Sequence, residues 1–303
     1  MEKTQAHKQL KIFWSVKGNL LLLLLLSSCA ISAQLAITPG AQFSIVGNLQ
    51  LSLQNTDLLN NGNFTTGNSV ITFKGNISSS IRGSGPIQFF EIEMDKTNNS
   101  SVFLLSPVEI QQRAVFTSGF LDLNGFNADL GTTGHLDGEQ ENARVIGPNG
   151  GEVLFLTTLN APANSNPANL GAIISSTENL GNVMIKRGHQ SQSINSGVNS
   201  SVLRYYEILP ANNSNLNATL KFKYFDRELN GLTENSLVFL NSNDGINWSA
   251  QGFTSRDVTA NFVEKAGIGS FSRWTLSNIN TVLPVFFTLF NANCNSNKLF
   301  ITW

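Results

Sequence analysis

"GFLDLNGFNADLG", residues 119–131, alternates apolar and polar positions as far as Leu123, breaks at Asn124 and Gly125, and resumes at Leu130. Leu121 and Leu123 fall on one side of an extended chain, because successive strand side chains point to opposite faces. Asn followed by Gly tolerates positive φ and turns the chain. The stretch therefore reads as strand, turn, strand. A degenerate copy of the same shape stands in "NNGNFTTG", residues 60–67. Short strands with frequent turns fit two architectures, a coiled β-solenoid and an antiparallel sandwich. The recurrence of Asn-rich turns favours a solenoid for this part of the chain.

The pattern extends outward from that stretch. "FSIVGNLQLSL" (43–53) and "SVITFKG" (69–75) alternate in the same way. "FFEIEMDK" (89–96) is expected to set Phe90, Ile92 and Met94 on one face, with Glu91, Glu93 and Asp95 opposite. Residues 34–160 are thus expected to form a solenoid-like strand-and-turn region. Within and beyond it, "DGEQENARVIGPNGGE" (137–152) and "NAPANSNPANLG" (160–171) have connector composition. Residues 161–282 read as an immunoglobulin-like β-sandwich module, with "VLRYYEILPA", "ATLKFKYFD", "NSLVFLNSNDGINWSAQG", "ANFVEKAGIGSF" and "RWTLSN" as strand candidates. In "ATLKFKYFD", Leu220, Phe222 and Tyr224 share one face. The expected fold class is all-β throughout.

Composition agrees. Of 303 residues only 13% are charged, about half the usual share. Asn fills much of the difference, at roughly one residue in eight. Residues 1–33 read as a signal peptide: Lys3, Lys8, Lys11 and Lys17 precede the apolar run Leu20–Leu26, and "ISAQ" offers cleavage after Ala33. That run is too short to span a bilayer. "LSSC" also fits a lipoprotein box, the alternative in which Cys29 is lipidated. Removal of residues 1–33 leaves 15 basic against 19 acidic residues, with no basic stripe for nucleic acid and no transmembrane segment in the mature chain. Cys294 is then the remaining thiol if Cys29 leaves with the leader, so packing and ladders must supply stability without an intrachain disulfide.

The search for chemistry finds weak candidates. His135 stands near Asp137, Glu139 and Glu141 without metal-ligand spacing, and reads as part of a polar turn. His189, in "KRGHQSQ", reads as part of a charged loop. The acids of "EIEMD" share one face at period two, which a solvated strand explains better than paired glycosidase carboxylates. "GSGP" lacks the Lys and helix of a phosphate loop. In "NSNDGINW" (241–248), oxygens before Gly245 alternate as in a calcium loop, but the bidentate acid is missing. Ser242, Asp244, Gly245 and Trp248 fit a shortened Asp-box, a structural turn whose carboxylate holds backbone amides above a packed Trp. Tyr205, Tyr206, Trp248 and Trp274 are the candidates for a glycan-stacking platform. No catalytic residue, metal ligand or cofactor is assigned.

From Arg204 onward, "RYYEILPANNSNLNATLKFKYFDRELNGL", "SNDGINW" and "GIGSFSRWTLSN" followed by "LPV" resemble a region of large secreted surface proteins of Bacteroidetes. In those proteins, segments like "SGFLDLNGFNADLG" come first, and a linker of the "LPVxFTxFxAxCxxNKxxxxW" type follows the sandwich. The resemblance implies export through the outer membrane, often by the type IX route linked to gliding motility. It also implies that "NKLFITW" (297–303), with Leu299, Ile301 and Trp303 alternating, opens a further fibronectin-like domain ahead of a sorting domain. Residues 283–303 are accordingly expected to be a linker and the first strand of a missing domain, in a chain truncated before its sorting signal. The expected function is a non-catalytic secreted or cell-surface structural or adhesion protein, whose partners are cell-surface glycans or extracellular matrix. The alternative is a carbohydrate-binding accessory region of a polysaccharide-active enzyme.

Overall fold

The computed structural model describes residues 33–194, 199–278, 291–295 and 298–302, the last two segments by their backbone. Residues 1–32, which hold Cys29 and all but the last residue of the expected signal peptide, and residues 283–290 of the expected linker lie outside the described residues. The described chain is all-β, with three single-turn 3-10 helices, Pro167–Asn169, Asp226–Glu228 and Glu234–Ser236.

The first half is a β-solenoid of about six turns. One stack of parallel strands runs through Ala33–Ile37, Thr56–Asn60, Ser79–Arg82, Ser101–Leu104, the end of Val108–Asp122 and Ala143–Ile146. A second runs through Gln50–Gln54, Val70–Gly75, Gln88–Lys96 and the start of Val108–Asp122, then Ala128–Asp129 and His135–Asp137. Parallel register stacks like on like. Leu58 pairs with Ile81 and Ile81 with Leu104, all three buried. On the other side Leu53, Phe73, Met94 and Phe116 form a buried ladder, and Ile71, Ile92, Ala114 and Leu136 form the next. These ladders are the core, and each coil supplies a rung that its neighbours cover.

Residues 119–131 sit where the sequence pattern puts them. Leu121 lies between Val102 and Val145 in neighbouring coils, and Leu121, Leu123 and Leu130 are fully buried. Asn124 (φ 47) and Gly125 (φ 87) form a coil corner, not a hairpin: the flanking strands Val108–Asp122 and Ala128–Asp129 pair in parallel. The corner is tied to its neighbours on both sides. Asn124 donates to the Leu104 carbonyl (3.2 Å), and Asn149 donates to the Asn124 side-chain oxygen (2.9 Å).

One expectation needs correcting. Phe89, not Phe90, points inward together with Ile92 and Met94. The alternation slips between Phe89 and Glu91, where the facing strand also shifts register between Ile110 and Arg113. Lys96 continues the inward parity and is 1% exposed. Its ammonium donates to the carbonyls of Lys74 (2.9 Å) and Ile77 (2.8 Å) and to Ser79 Oγ (2.7 Å), so the charge is buried but saturated.

The second half is a β-sandwich. Its larger sheet orders Glu152–Asn160, Asn179–Gly188, Tyr205–Pro210, Arg273–Asn278, Leu237–Ser242 and Ser249–Gly252, all antiparallel. Its smaller sheet orders Ala172–Ser175, Ala218–Lys223, Phe262–Ile268 and Ser255–Asp257. Phe222 of the smaller sheet meets Tyr206 and Phe239 of the larger edge-on, at 4.7 and 6.1 Å between ring centres. Leu220, Phe222 and Tyr224 are all buried, as their shared face requires.

Glu152–Asn160 belongs to both halves. It pairs in parallel with the solenoid strand Ala128–Asp129 on one edge and antiparallel with Asn179–Gly188 on the other. Solenoid and sandwich therefore share one hydrogen-bonded sheet and one continuous hydrophobic core. At the far end, Lys298–Thr302 pairs antiparallel with Asn291–Asn295, a strand within the stretch expected to be linker.

Candidate functional site

Where the last solenoid coil meets the sandwich, the chain buries a cluster of ionised side chains. Strand parity puts two of them there. Val183, Ile185 and Arg187 alternate inward, as do Arg204, Tyr206 and Ile208, and all six are at most 2% exposed. The solenoid side contributes Glu139, Glu141 and Arg144, from the loop between His135–Asp137 and Ala143–Ile146 and the strand itself. The sandwich side adds His189 and, from the turn Asp226–Glu228, Glu228.

The pairing is specific. Arg187 grips Glu139 with both terminal nitrogens (2.8 and 2.7 Å), and it also donates to the Leu170 carbonyl (3.1 Å). Arg204 donates to Glu228 (2.9 Å), whose second oxygen accepts the Phe225 amide (3.1 Å). Tyr206 donates to the Leu170 carbonyl (2.6 Å) and accepts from Arg204 (3.3 Å). Glu141 accepts the amides of Asp226 (2.7 Å) and Arg227 (3.2 Å), a direct clasp between the two halves. Burial would raise both carboxyls, yet Arg187 holds Glu139, and Arg204 with His189 holds Glu228, below the ordinary carboxylate range.

His189 is 4% exposed, not in a solvated loop as its sequence neighbours imply. The inward parity of Arg187 carries two residues on. Its Nε2 accepts from Arg187 Nε (3.2 Å), and Nδ1 faces Glu228 at 3.4 Å. Burial lowers its pKa to about 4, against the pull of Glu228, so the ring is neutral at pH 7. Both nitrogens are engaged, which leaves no lone pair for a metal or a base.

The platform aromatics are placed differently from the expectation. Tyr206 is fully buried, Trp274 is 2% exposed, and Tyr205 and Trp248 are each 9% exposed. Trp274 packs edge-on against Phe239 at 5.9 Å, and Tyr205 donates to Glu152 at 2.8 Å. Tyr206 and Trp274 share strand parity with the core residues Ile208 and Leu276, whereas Tyr205 lies on the opposite face of its strand, with Arg273 4.9 Å over its ring. The exposed Phe253 is covered by Arg256, 3.8 Å from the ring centre.

In the turn at residues 242–248, Asp244 accepts the amides of Ile246 and Asn247, both at 2.8 Å, and Ser242 Oγ (2.9 Å). Those amides hold its carboxyl below the usual range. Gly245 adopts φ 75, and Trp248 packs beneath against Ile194 and Leu240. The carboxylate oxygens are thus spent on the turn itself.

On the solenoid face, Glu91 pairs with Arg113 (3.0 Å), which reaches Asp137 at 3.5 Å. Glu93 accepts from Thr72 (2.8 Å) and Thr117 (2.9 Å). His135 is half-buried opposite Arg113 in the adjacent strand. Among the described residues no group of three or more His, Cys, Asp or Glu converges on a metal position. No helix among them is long and apolar enough to cross a membrane.

Two concavities flank the ion cluster. One, of about 410 Å3, is lined by Asp137, Glu139, Arg204, Lys223 and Asn261 among others. The other, of about 580 Å3, has Arg144, His189 and Glu228 in its lining. Comparison with known proteins gives no match: no family model, no curated protein and no solved structure is similar to this chain.

Proposed function

We propose that this chain is a non-catalytic structural or adhesion element of a secreted or cell-surface protein. The observation that carries the reading is the shared strand Glu152–Asn160, which joins a stack of coils to a sandwich through unbroken hydrogen bonding. A buried and mutually paired ion cluster reinforces the same seam. Such a joint resists bending, as a spacer or stalk requires. The solenoid contributes reach, because each coil is satisfied by the next. Surface location rests on the leader-like residues 1–33 and on the resemblance to exported Bacteroidetes proteins.

The test is location and adhesion together. Protease shaving of intact cells, with an antibody against residues 34–280, is expected to remove the protein while cytoplasmic markers survive. Cells lacking it are expected to adhere more weakly to surfaces, and the purified chain on beads to restore contact. Protection from protease, with unchanged adhesion of the deletion strain, would sink the proposal. The glycan-binding alternative loses its aromatic platform to burial and would need a different binding surface.

A further inference from the structure

Of the three guanidiniums in the ion cluster, two are hydrogen-bonded to carboxylates, and the third, Arg144, meets one only in a longer ion pair. Arg187 is paired with Glu139 and Arg204 with Glu228. Arg144 is 6% exposed, yet its nearest carboxylate, Glu228, stands at 3.9 Å, beyond hydrogen-bond distance. Its Nε is buried and has no hydrogen-bond acceptor among the described residues. Its one acceptor there is the Glu141 main-chain carbonyl. The neighbouring acids are committed elsewhere, Glu141 to two backbone amides and Glu228 to Arg204 and the Phe225 amide.

Phe120 and Phe225 lie 5.4 and 5.7 Å from the guanidinium carbon. Such contacts favour the cation but accept no in-plane hydrogen bond. Burial lowers the Arg144 pKa, the signature of a cation short of compensation. A buried charge in that condition is costly, and a structural role alone would be met equally well by an apolar side chain.

Arg144 also lines the cavity of about 580 Å3, whose other walls include Ile146, Pro148 and Leu203. His189, Gln190, Ser191 and Glu228 also line it. A guanidinium beside an apolar wall is matched by a ligand with one anionic head and an apolar body. Glu228, ionised beside it, disfavours a second negative charge. We propose that this cavity binds a small organic monocarboxylate, its carboxylate on Arg144 and its apolar body against Ile146, Pro148 and Leu203. The site goes beyond the structural role and would give a stalk-like molecule a small-molecule ligand at its joint.

Isothermal titration of the whole protein at pH 7 tests this with benzoate, hexanoate, neutral benzamide and galacturonate. Benzoate and hexanoate should bind saturably at one site, with benzamide and galacturonate each about tenfold weaker or more. Arg144→Gln should weaken benzoate about tenfold or more. Because that variant alters a buried residue, Leu203→Trp serves as the second probe: it fills the cavity, leaves Arg144 in place, and should also abolish binding. Equal binding of benzamide would overturn the charge assignment, and galacturonate binding as tightly as benzoate would overturn the apolar body. Absence of saturable heat with benzoate, or benzoate affinity unchanged in Leu203→Trp, would overturn the site.

Discussion

His189 is where a single residue makes stability depend on pH. Its ring titrates near 6.5 in the unfolded chain and near 4 in the folded one, because burial disfavours the charged form. Between those values the unfolded state binds more protons, so stability falls as pH drops through that window, by about 3 kcal/mol at most. Glu228, whose carboxyl is held low in the folded chain, adds to the loss below about 4.5. Chemical denaturation across pH 4–7 should show the decline, and His189→Asn should flatten it; a slope unchanged in the variant would refute the assignment. Glu139→Ala should cost about 3–5 kcal/mol by stranding Arg187, while Glu139→Leu with Arg187→Met together should recover most of it. Little of this was legible in the sequence. The inward parity of Arg187 and Arg204 was visible in "VMIKRG" and "RYYEI", but a charged residue at a core position carries no hint of its partner. Glu139 lies 48 positions from Arg187, and only the fold brings them together.

At the scale of the element, coil corners and inward ladders decide the fold. Gly119 adopts φ 78, and a Cβ there would fall 2.5 Å from Lys96 Cβ and 2.6 Å from the Ser100 carbonyl. Gly119→Ala should therefore destabilise by more than about 1 kcal/mol, read from the urea midpoint. Leu121→Asp should cost several kcal/mol, by placing an unpaired charge between Val102 and Val145. Wild-type melting of either variant would mean the ladder is misassigned. Strands were readable here because alternation is a local property, and the all-β class and solenoid followed from it. The Phe89–Phe90 slip was not readable: a bulge interrupts the period, and either phenylalanine satisfies an apolar pattern. The aromatics of the sandwich misled for a related reason, since ring count says nothing about which face of a strand is wet.

For the whole molecule, the shared strand makes a thermodynamic statement. A sheet and core that run through both halves should unfold together, so calorimetry should give one transition with van't Hoff and calorimetric enthalpies equal. Two resolved transitions would show that the seam is weak and the ion cluster incidental. A chain ending at Asn160 should aggregate, because it bares the edge that Asn179–Gly188 covers.

Leu58, Ile81 and Leu104 recur at equal intervals of 23 residues, and the contacts with the sandwich come from the other end of the stack, through Glu139, Glu141 and the strand Glu152–Asn160. Reach and anchorage are therefore separate variables. Excision of residues 56–78 removes one such interval and should shorten the stack by about 4.8 Å, while the shortened chain still unfolds in a single transition. Two resolved transitions in the shortened chain would show that coils and anchor are not one cooperative unit. A lineage could then tune how far the molecule projects by gaining or losing whole pitches, without renegotiating the surface on which the stack stands.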